Sequence, residues 1–361
     1  MKKKISLRLT FLAICVVLHV FAGGAKAENA SNFSWKLDEQ TLTLFDSDQK
    51  VLTYNFAFMD HANVPAKEPR KFAGSYIYPL FGLDGENLTD DAPKDHYHHH
   101  GVFWTWPGVY LYEKDGTVKQ YDLWTSNTQI RQRFIRFKET SCEGNVATFT
   151  VENGWFVGEN ATAPDEKLDA SKKGVAIGEN EALYGRKVMS ELVTVVARPV
   201  ENFEGVESRA VDVEIVLTPV DVPVGLQGAE HKSYGGLTIR FNAKGKIGVD
   251  KFITTDEGVA KDDMPEKNLR WADYASRFGA PNDELSGAAI FLSPSFPDFP
   301  PTWLTRYYGP LCTGFPGVET QKFEPNKPIV MRARIWIHKG LVPLETLQKA
   351  YERWANEENQ R

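Results

Sequence analysis

Strict alternation of apolar and polar residues marks one segment of this chain, residues 329–338, as a β-strand. Its apolar set is Ile329, Met331, Ala333, Ile335 and Ile337, and its second set is Val330, Arg332, Arg334, Trp336 and His338. Successive side chains of a strand point to opposite faces, so we expect the apolar set in a core. The second set either lines a cleft or forms an ordinary solvated sheet face with cross-strand pairs.

Other segments rich in Val, Ile, Thr and Phe are typical of strands, because β-branched and aromatic side chains suit a pleated surface. These segments are residues 33–38, 41–45, 50–56, 129–137, 146–151, 188–197 and 211–217. Near the end of the chain the period changes to that of a helix, which we predict over residues 343–356. Its apolar stripe consists of Leu344, Leu347, Tyr351 and Trp354. The pattern indicates a mostly β chain with a C-terminal α-helix.

Two long segments lack a regular pattern. Residues 159–187 are charged, and we predict that they form a surface insertion. Residues 293–317 hold six prolines among aromatic residues, which predicts a stiff loop without strands, because proline restricts φ. No shift in composition marks a linker, so we expect residues 28–361 to form one domain.

The first 27 residues have the organisation of a signal peptide. Basic residues at positions 2–4 and Arg8 precede an apolar run at 9–21 that is too short to span a bilayer comfortably. Ala25-Lys26-Ala27 then matches the small-residue pattern that signal peptidases recognise. We therefore predict cleavage after Ala27 and a periplasmic or secreted protein.

The charge of the chain disfavours some classes of partner. The signal segment holds five basic residues and no acidic one, so its removal takes the formal net charge from −6 to −11. An acidic protein repels polyanions and anionic membrane surfaces. We expect no nucleic-acid partner and, after signal cleavage, no membrane partner.

Two cysteines remain after the predicted cleavage, Cys142 and Cys312. An exported compartment would permit a disulfide between them. The sequence leaves open whether they pair or stay as free thiols.

The chemistry of the chain is concentrated in residues 95–101, which read Asp-His-Tyr-His-His-His-Gly and precede an aromatic stretch. Half of the eight histidines lie here. Histidine titrates near neutral pH and is the commonest metal ligand. If the segment is extended, His96, His98 and His100 share one face and His99 points to the other.

Three interpretations of these histidines stay open. General acid–base catalysis would use His96, His98 and His99, with Glu319 as a carboxylate partner. Metal binding would use His96 and His98 with a third ligand such as His61, although no spacing is diagnostic. In the third interpretation the imidazoles only hydrogen-bond the loop backbone and nearby carboxylates.

Polar and aromatic residues in and beyond this segment are candidates for substrate binding. An arginine fork clamps oxygen-rich ligands, and aromatic rings cover the apolar faces of sugars. The candidates are Asp95, His100, Trp104, Trp106, Arg240, Trp271, Tyr274, Arg334 and His338. The chain has no nucleotide, dinucleotide or serine-hydrolase motif, so we expect no cofactor.

The histidine segment resembles the D-H-P-H-H-R-G signature of a bacterial family described as PmoA-like, whose function is unknown. Further blocks look similar in the same order: Tyr76-Ile77-Tyr78-Pro79-Leu80 with Asp84-Gly85, Tyr234-Gly235-Gly236-Leu237 with Arg240, Trp271-Ala272-Asp273-Tyr274, Tyr308-Gly309, and Arg332-Ala333-Arg334 with His338. Two positions depart from the signature. Tyr97 stands for the usual proline, and His100 for the usual arginine, which replaces a permanent cation by a titratable group.

The resemblance implies a large antiparallel β-sandwich of the galactose-mutarotase-like, or supersandwich, type. It does not imply methane oxidation, because the chain has no apolar span after its signal. Together with export and the histidine cluster, it favours a carbohydrate-active enzyme of epimerase, lyase or hydrolase type. The ligand would be a carbohydrate or another polar small molecule. A non-catalytic periplasmic glycan-binding protein and a metal-dependent enzyme are the alternatives.

Export has a direct test. N-terminal sequencing of protein recovered from the periplasm or medium should begin at Glu28, because cleavage after Ala27 releases the mature chain. Recovered protein that still begins at Met1 would contradict export by this route.

Overall fold

The computed structural model of the protein describes residues 32–125, 128–165 and 181–361. The predicted signal peptide lies outside the described residues, as does the middle of the predicted insertion. The chain is mostly β, with 51% strand, and combines antiparallel sheets with one C-terminal helix, as predicted. Among the described residues, no helix is long and apolar enough to cross a bilayer.

Twenty-four strands follow one another along the described residues. They are β1 (Phe33–Leu37), β2 (Thr41–Asp46), β3 (Gln49–Asn55), β4 (Met59–Asp60), β5 (Phe72–Ala73), β6 (Tyr76–Leu80), β7 (Val102–Thr105), β8 (Gly108–Tyr112), β9 (Val118–Tyr121), β10 (Ile130–Glu143), β11 (Val146–Val157), β12 (Arg186–Phe203), β13 (Val206–Pro219), β14 (Val224–Gln227), β15 (Gly236–Arg240), β16 (Lys251–Thr255), β17 (Gly258–Val259), β18 (Met264–Asn268), β19 (Trp271–Ser276), β20 (Ser286–Leu292), β21 (Thr302–Thr305), β22 (Pro310–Cys312), β23 (Gln321–Phe323) and β24 (Ile329–Lys339). The helices are α1 (Glu181–Tyr184) and α2 (Leu344–Glu358), with 3-10 turns at Pro69–Lys71, Glu159–Thr162 and Pro281–Asp283.

Two nine-stranded sheets form the layers of a β-sandwich. The first has the strand order β1-β2-β3-β6-β7-β15-β22-β21-β18, and the second β10-β11-β12-β13-β24-β20-β19-β16-β17. Smaller sheets pair β23-β14-β8-β9 and β4-β5. Rings from both large sheets meet in the shared core: Trp35 lies 5.6 Å from Phe149, and Phe241 stacks on Tyr274 at 4.9 Å. The predicted antiparallel sandwich is therefore confirmed.

The alternating segment at residues 329–338 forms β24. Its apolar set is buried in the core between the two large sheets, as predicted. On the other face Arg334, Trp336 and His338 are also buried, because α2 covers this side of the second sheet. Trp336 on this face is therefore covered by the helix, whereas Arg334 lines a surface cavity of about 320 Å³ beside it.

The C-terminal helix α2 packs its apolar stripe onto the second sheet. Leu347, Tyr351 and Trp354 are buried in one cluster with Trp336. Leu344 belongs to the predicted stripe but is 41% exposed, because it is the first residue of the helix. The prediction of the helix and of its packing role is otherwise confirmed.

The proline-rich segment contains two short strands that its sequence did not predict. β21 and β22 pair with each other and join the first sheet. Pro310 opens β22, a position where the missing N–H of proline is tolerated. Strands of three or four residues are too short to show a clear period of two.

The two described cysteines are free thiols. Cys142 is exposed in β10 of the second sheet, whereas Cys312 is buried in β22 of the first sheet. The structure therefore favours free thiols over the disulfide that the sequence left open.

The packing of α2 predicts a large loss of stability on truncation. Trp354→Ala should lower the free energy of unfolding by about 3–5 kcal/mol, because it removes a buried ring and leaves a cavity. Asn356→Ala on the exposed side of the same helix should change it by less than about 0.5 kcal/mol. Denaturant unfolding of both variants checks this, and equal losses would contradict the packing.

Candidate functional site

The histidine loop, residues 81–101, joins β6 to β7 and crosses the outer face of the first sheet. The assignment of His96, His98 and His100 to one face assumed that this segment is extended. The loop is not extended at the histidines. Two successive turns form instead, in which the His96 N–H donates to Pro93 O at 2.9 Å and the His99 N–H donates to His96 O at 3.1 Å. Because these backbone donors are satisfied within the loop, the turns bring His96, His98 and His99 together rather than alternating them.

The three imidazoles form a compact ring cluster. His96 stacks on His99 with ring centroids 4.7 Å apart, and Tyr308 stacks on the other side of His96 at 4.9 Å. His98 meets His99 edge to face at 4.6 Å. The three histidines predicted for acid–base catalysis thus lie together, but Glu319, their predicted carboxylate partner, does not lie with them.

This ring cluster forms one wall of a cleft of about 210 Å³, which we call the histidine cleft. Trp124 and Tyr234 form an aromatic wall, with ring centroids 4.8 Å apart. Lys232 and Arg306 also line the cleft, and none of its described lining residues is Asp or Glu. The cleft is therefore aromatic, with two cationic side chains in its lining, of which Arg306 pairs with Asp263 at 3.8 Å.

Burial sets the protonation state of the inner imidazoles. It lowers the pKa of His98 to about 3, and repulsion from His96 and His100 acts in the same direction. It also holds the pKa of His99 well below the ordinary value. The Nδ1 atoms of both rings are buried, and neither has a hydrogen-bond partner among the described residues. Both imidazoles are neutral near pH 7 and retain polar atoms that the fold does not satisfy.

Arg240 anchors the histidine loop from below. Its Nη2 donates to both carboxylate oxygens of Asp95, at 3.2 and 3.0 Å, and its guanidinium lies 4.8 Å from the Tyr308 ring centroid. Asp95 also contacts Nδ1 of His96 at 3.0 Å. Burial alone would raise the pKa of Asp95, but His96 and Arg240 lower it overall. These two predicted binding residues do converge with the histidines, with Asp95 orienting His96.

His100 belongs to a second, deeper cluster. Its Nδ1 contacts Asp91 Oδ1 at 2.8 Å, and the other Asp91 oxygen lies 3.1 Å from His61 Nε2. The Tyr76 hydroxyl donates to Asp91 Oδ2 at 3.0 Å. Burial would raise the pKa of Asp91, but the bonds to His100 and His61 lower it overall. His61 therefore does not come together with His96 and His98, as the predicted metal site required. It lies instead beside Asp91 and His100.

A second cavity lies between the deeper cluster and the histidine cleft. Its lining includes Tyr76, His98, His100 and Trp124. Its volume of about 30 Å³ is small but sufficient to hold water. His98 and Trp124 border both cavities, so these two side chains lie between them.

Trp104 and Trp106 do not reach the histidine cleft. Both are fully buried in the core between the sheets, and Trp106 Nε1 donates to Phe315 O at 2.7 Å. The alternation of β7 explains this, because Phe103 takes the outward position beside the histidines. Their assignment to substrate binding is wrong.

Four further predicted binding residues lie in the second sheet, away from the cleft: Trp271, Tyr274, Arg334 and His338. Trp271 is buried in the cluster beneath α2. The Tyr274 hydroxyl donates to a backbone carbonyl at 2.6 Å in the core. Arg334 pairs with Asp212, and His338 contacts Asp273 at 2.8 Å. They pack or pair within the sandwich, and the structure does not bring them to the histidine cleft.

Glu319 is not the carboxylate partner of the histidines. It is exposed just before β23 and does not line the histidine cleft. The carboxylates that contact imidazoles of the loop are Asp91 and Asp95. Asp91 could have been found from the sequence, because it stands nine residues before His100, across a turn that begins with Ala92-Pro93.

Glu191 in β12 is a fully buried carboxylate beneath the site. It accepts hydrogen bonds at 2.8 Å from Gln132 Nε2, Asn153 Nδ2 and Trp155 Nε1. Burial raises its pKa. Gln132 also lines the second cavity, so this hydrogen-bond network supports one side of that cavity.

The fold and site together define a β-sandwich protein with a histidine-lined cleft on the outer face of one sheet. The chain belongs to a family of unknown function, DUF6807, which matches residues 41–352 and so includes every residue of both clusters. Nothing in that match refers to PmoA, so the match supports the resemblance only as far as a family of unknown function. No curated protein matches the chain.

The Glu191 network predicts an asymmetric response to a near-isosteric change. Glu191→Gln should lower the free energy of unfolding by about 2 kcal/mol, because an amide nitrogen would then face buried N–H donors. Glu207→Gln in the neighbouring β13, half-exposed beside Lys339, should cost less than about 1 kcal/mol. Chemical denaturation measures both, and an unchanged Glu191→Gln protein would contradict the donor arrangement.

Proposed function

We propose that this protein is a carbohydrate-active enzyme and that its substrate binds in the histidine cleft. The observation that carries the proposal is the convergence of His96, His98 and His99 on a concave, ring-walled space. A neutral imidazole accepts a proton through its free ring nitrogen, and concave aromatic sites suit small polar ligands. With the predicted signal peptide, the proposal includes an activity in the periplasm or outside the cell.

The walls of the cleft match the shape and chemistry of a sugar. A pyranose ring presents apolar C–H faces, which pack against aromatic rings such as Trp124, Tyr234 and Tyr308. Its hydroxyl groups need partners with both donor and acceptor capacity, which a neutral imidazole has. His96, His98 and His99 line the cleft and present such rings to it.

The charge of the cleft narrows the class of sugar. Lys232 and Arg306 line the cleft, and Arg306 pairs with Asp263 outside the lining, whereas the chain as a whole is acidic. A local cationic patch on an acidic protein attracts and orients an anion. A sugar that bears a carboxylate, such as a uronic acid, fits this cleft better than a neutral sugar.

Two reaction types follow from an imidazole beside a sugar carboxylate. One imidazole removes the proton from the carbon next to the carboxylate, and the cations stabilise the charge that develops on the carboxylate oxygens. The electron pair then expels the glycosidic oxygen at the neighbouring carbon, and that oxygen takes a proton from the solvent, as in a lyase. In the other case a proton returns to the opposite face of the same carbon, as in an epimerase.

A glycan-binding protein without catalysis is the second candidate function. The stacked wall of Tyr308, His96 and His99 favours it, because stacking alone gives a ring-binding surface. The two functions differ in turnover and not in binding.

The proposal predicts separable effects of histidine variants. With trigalacturonate as probe, wild-type protein should bind it and either cleave it or exchange its C5 proton with deuterated solvent. His98→Asn and His99→Asn should slow this reaction about 100-fold or more, because proton transfer contributes about that much. Affinity should change far less.

NMR and mass spectrometry of the products measure turnover, and calorimetry measures binding. His231→Asn is the matched control, because His231 is exposed and lies outside the lining of the cleft. Binding without turnover in the wild type would favour the glycan-binding function. Absence of binding to trigalacturonate and to the matching neutral oligosaccharide would contradict both.

A further inference from the structure

We propose that His61, Asp91 and His100 bind a divalent transition-metal ion. One ligand atom from each of these three residues can be chosen so that all three atoms lie within 4.8 Å of one another. This site is separate from the histidine cleft, and its existence does not depend on the function proposed for the cleft.

The distances between the donor atoms suit a single ion. Asp91 Oδ1 lies 2.8 Å from His100 Nδ1, and Asp91 Oδ2 lies 3.1 Å from His61 Nε2. Ligand bonds of about 2.0–2.1 Å in a tetrahedral site place neighbouring donor atoms about 3.3 Å apart. The Tyr76 hydroxyl, 3.1 Å from His61 Nε2, completes a set of close polar atoms. Small movements would turn these contacts into a coordination shell.

Hydrogen-bond accounting at His61 also favours a cation. Its Nδ1 lies 2.9 Å from Lys71 O, a carbonyl that can only accept, so Nδ1 carries a hydrogen. In the neutral ring Nε2 then presents a lone pair towards the Asp91 carboxylate, which also only accepts. The Tyr76 hydroxyl has one hydrogen to offer these two acceptors. A metal ion between them would satisfy both, and the alternative is a second proton on His61.

The surroundings of His61 are those of a metal ligand. A ligating imidazole usually donates its other N–H to a carbonyl or carboxylate, which orients the ring, and Lys71 O has this position. A β-bridge pairs Asp91 with His100 across the loop and holds these two ligands together. His61 and His100 are buried and Asp91 nearly so, which reduces competition from water.

The ligand types identify the class of ion. Two imidazoles and one carboxylate suit zinc or ferrous iron, whereas calcium and magnesium prefer oxygen ligands alone. The second cavity reaches His100 and Tyr76, so it gives an approach for one further small ligand such as water. His98 stands between this cavity and the histidine cleft.

Metal binding can be tested on untagged full-length mature protein, since a polyhistidine tag would bind metal itself. The protein is dialysed against chelator, loaded with Zn²⁺ or Co²⁺, and freed of excess metal by gel filtration. We expect one ion per chain by elemental analysis, a higher melting temperature, and the visible absorption of cobalt in a low-symmetry nitrogen and oxygen site. Less than one ion per ten chains, or no cobalt absorption, would overturn the proposal.

Variants separate this site from the other histidines. His61→Gln and His100→Gln should weaken Zn²⁺ binding more than about 100-fold, because loss even of an outer partner costs about 10–100-fold. His96→Gln in the cleft and His231→Gln on the surface should keep the ion. Equal loss in His96→Gln would overturn the assignment. The cobalt spectrum of the wild type remains decisive if a buried variant fails to fold.

Discussion

The architecture of the site depends on how closely the chain passes the first sheet at Gly101. There the backbone has φ 49°, and a Cβ would lie 2.1 Å from the carbonyl oxygen of Ile77 in β6. Only glycine permits this approach at that φ. The approach holds the end of the histidine loop against the sheet just before the chain enters β7. The positions of the side chains on both sides of the histidine loop depend on this contact.

The histidine loop has two chemically different sides. Towards solvent, His96, His98 and His99 meet at the aromatic cleft, with Arg240 and Asp95 as their support. Towards the sheet, His100 turns in to a buried carboxylate. Neighbouring residues thus occupy opposite environments, because tight turns do not follow the alternation of a strand. His98 borders both cavities, so it is the point at which the two sides touch.

The sequence predicted those features that depend on local pattern. The strand at 329–338 and the C-terminal helix follow from periods of two and of about 3.6, and the histidine cluster follows from composition alone. Arg240 and Asp95 were also identified as binding candidates. Trp104 and Trp106 were misassigned, because an aromatic next to a histidine run looks the same whether it faces inward or outward. Only the pairing of β7 within the sheet decides its face.

Long-range pairing accounts for the remaining differences. His61 and Asp91 are separated by thirty residues, and Tyr76 reaches them from β6. Glu191 is buried because β12 is a central strand of the second sheet, which a single strand-like segment does not reveal. On the second face of β24, Trp336 is covered by a helix from the end of the chain, and Arg334 lines a cavity beside that helix. Such contacts join elements that no local motif connects.

The central claim is that ligand chemistry occurs at the imidazoles of the histidine cleft. Two-dimensional nitrogen–proton spectra of protein with ¹⁵N-labelled histidine, recorded while trigalacturonate is added, test it most directly. The account predicts that the ring-nitrogen signals of His96, His98 and His99 shift with saturation, while those of His231 and His338 stay in place. Shifts confined to His338, beneath α2, or no shift at any ring nitrogen would contradict it.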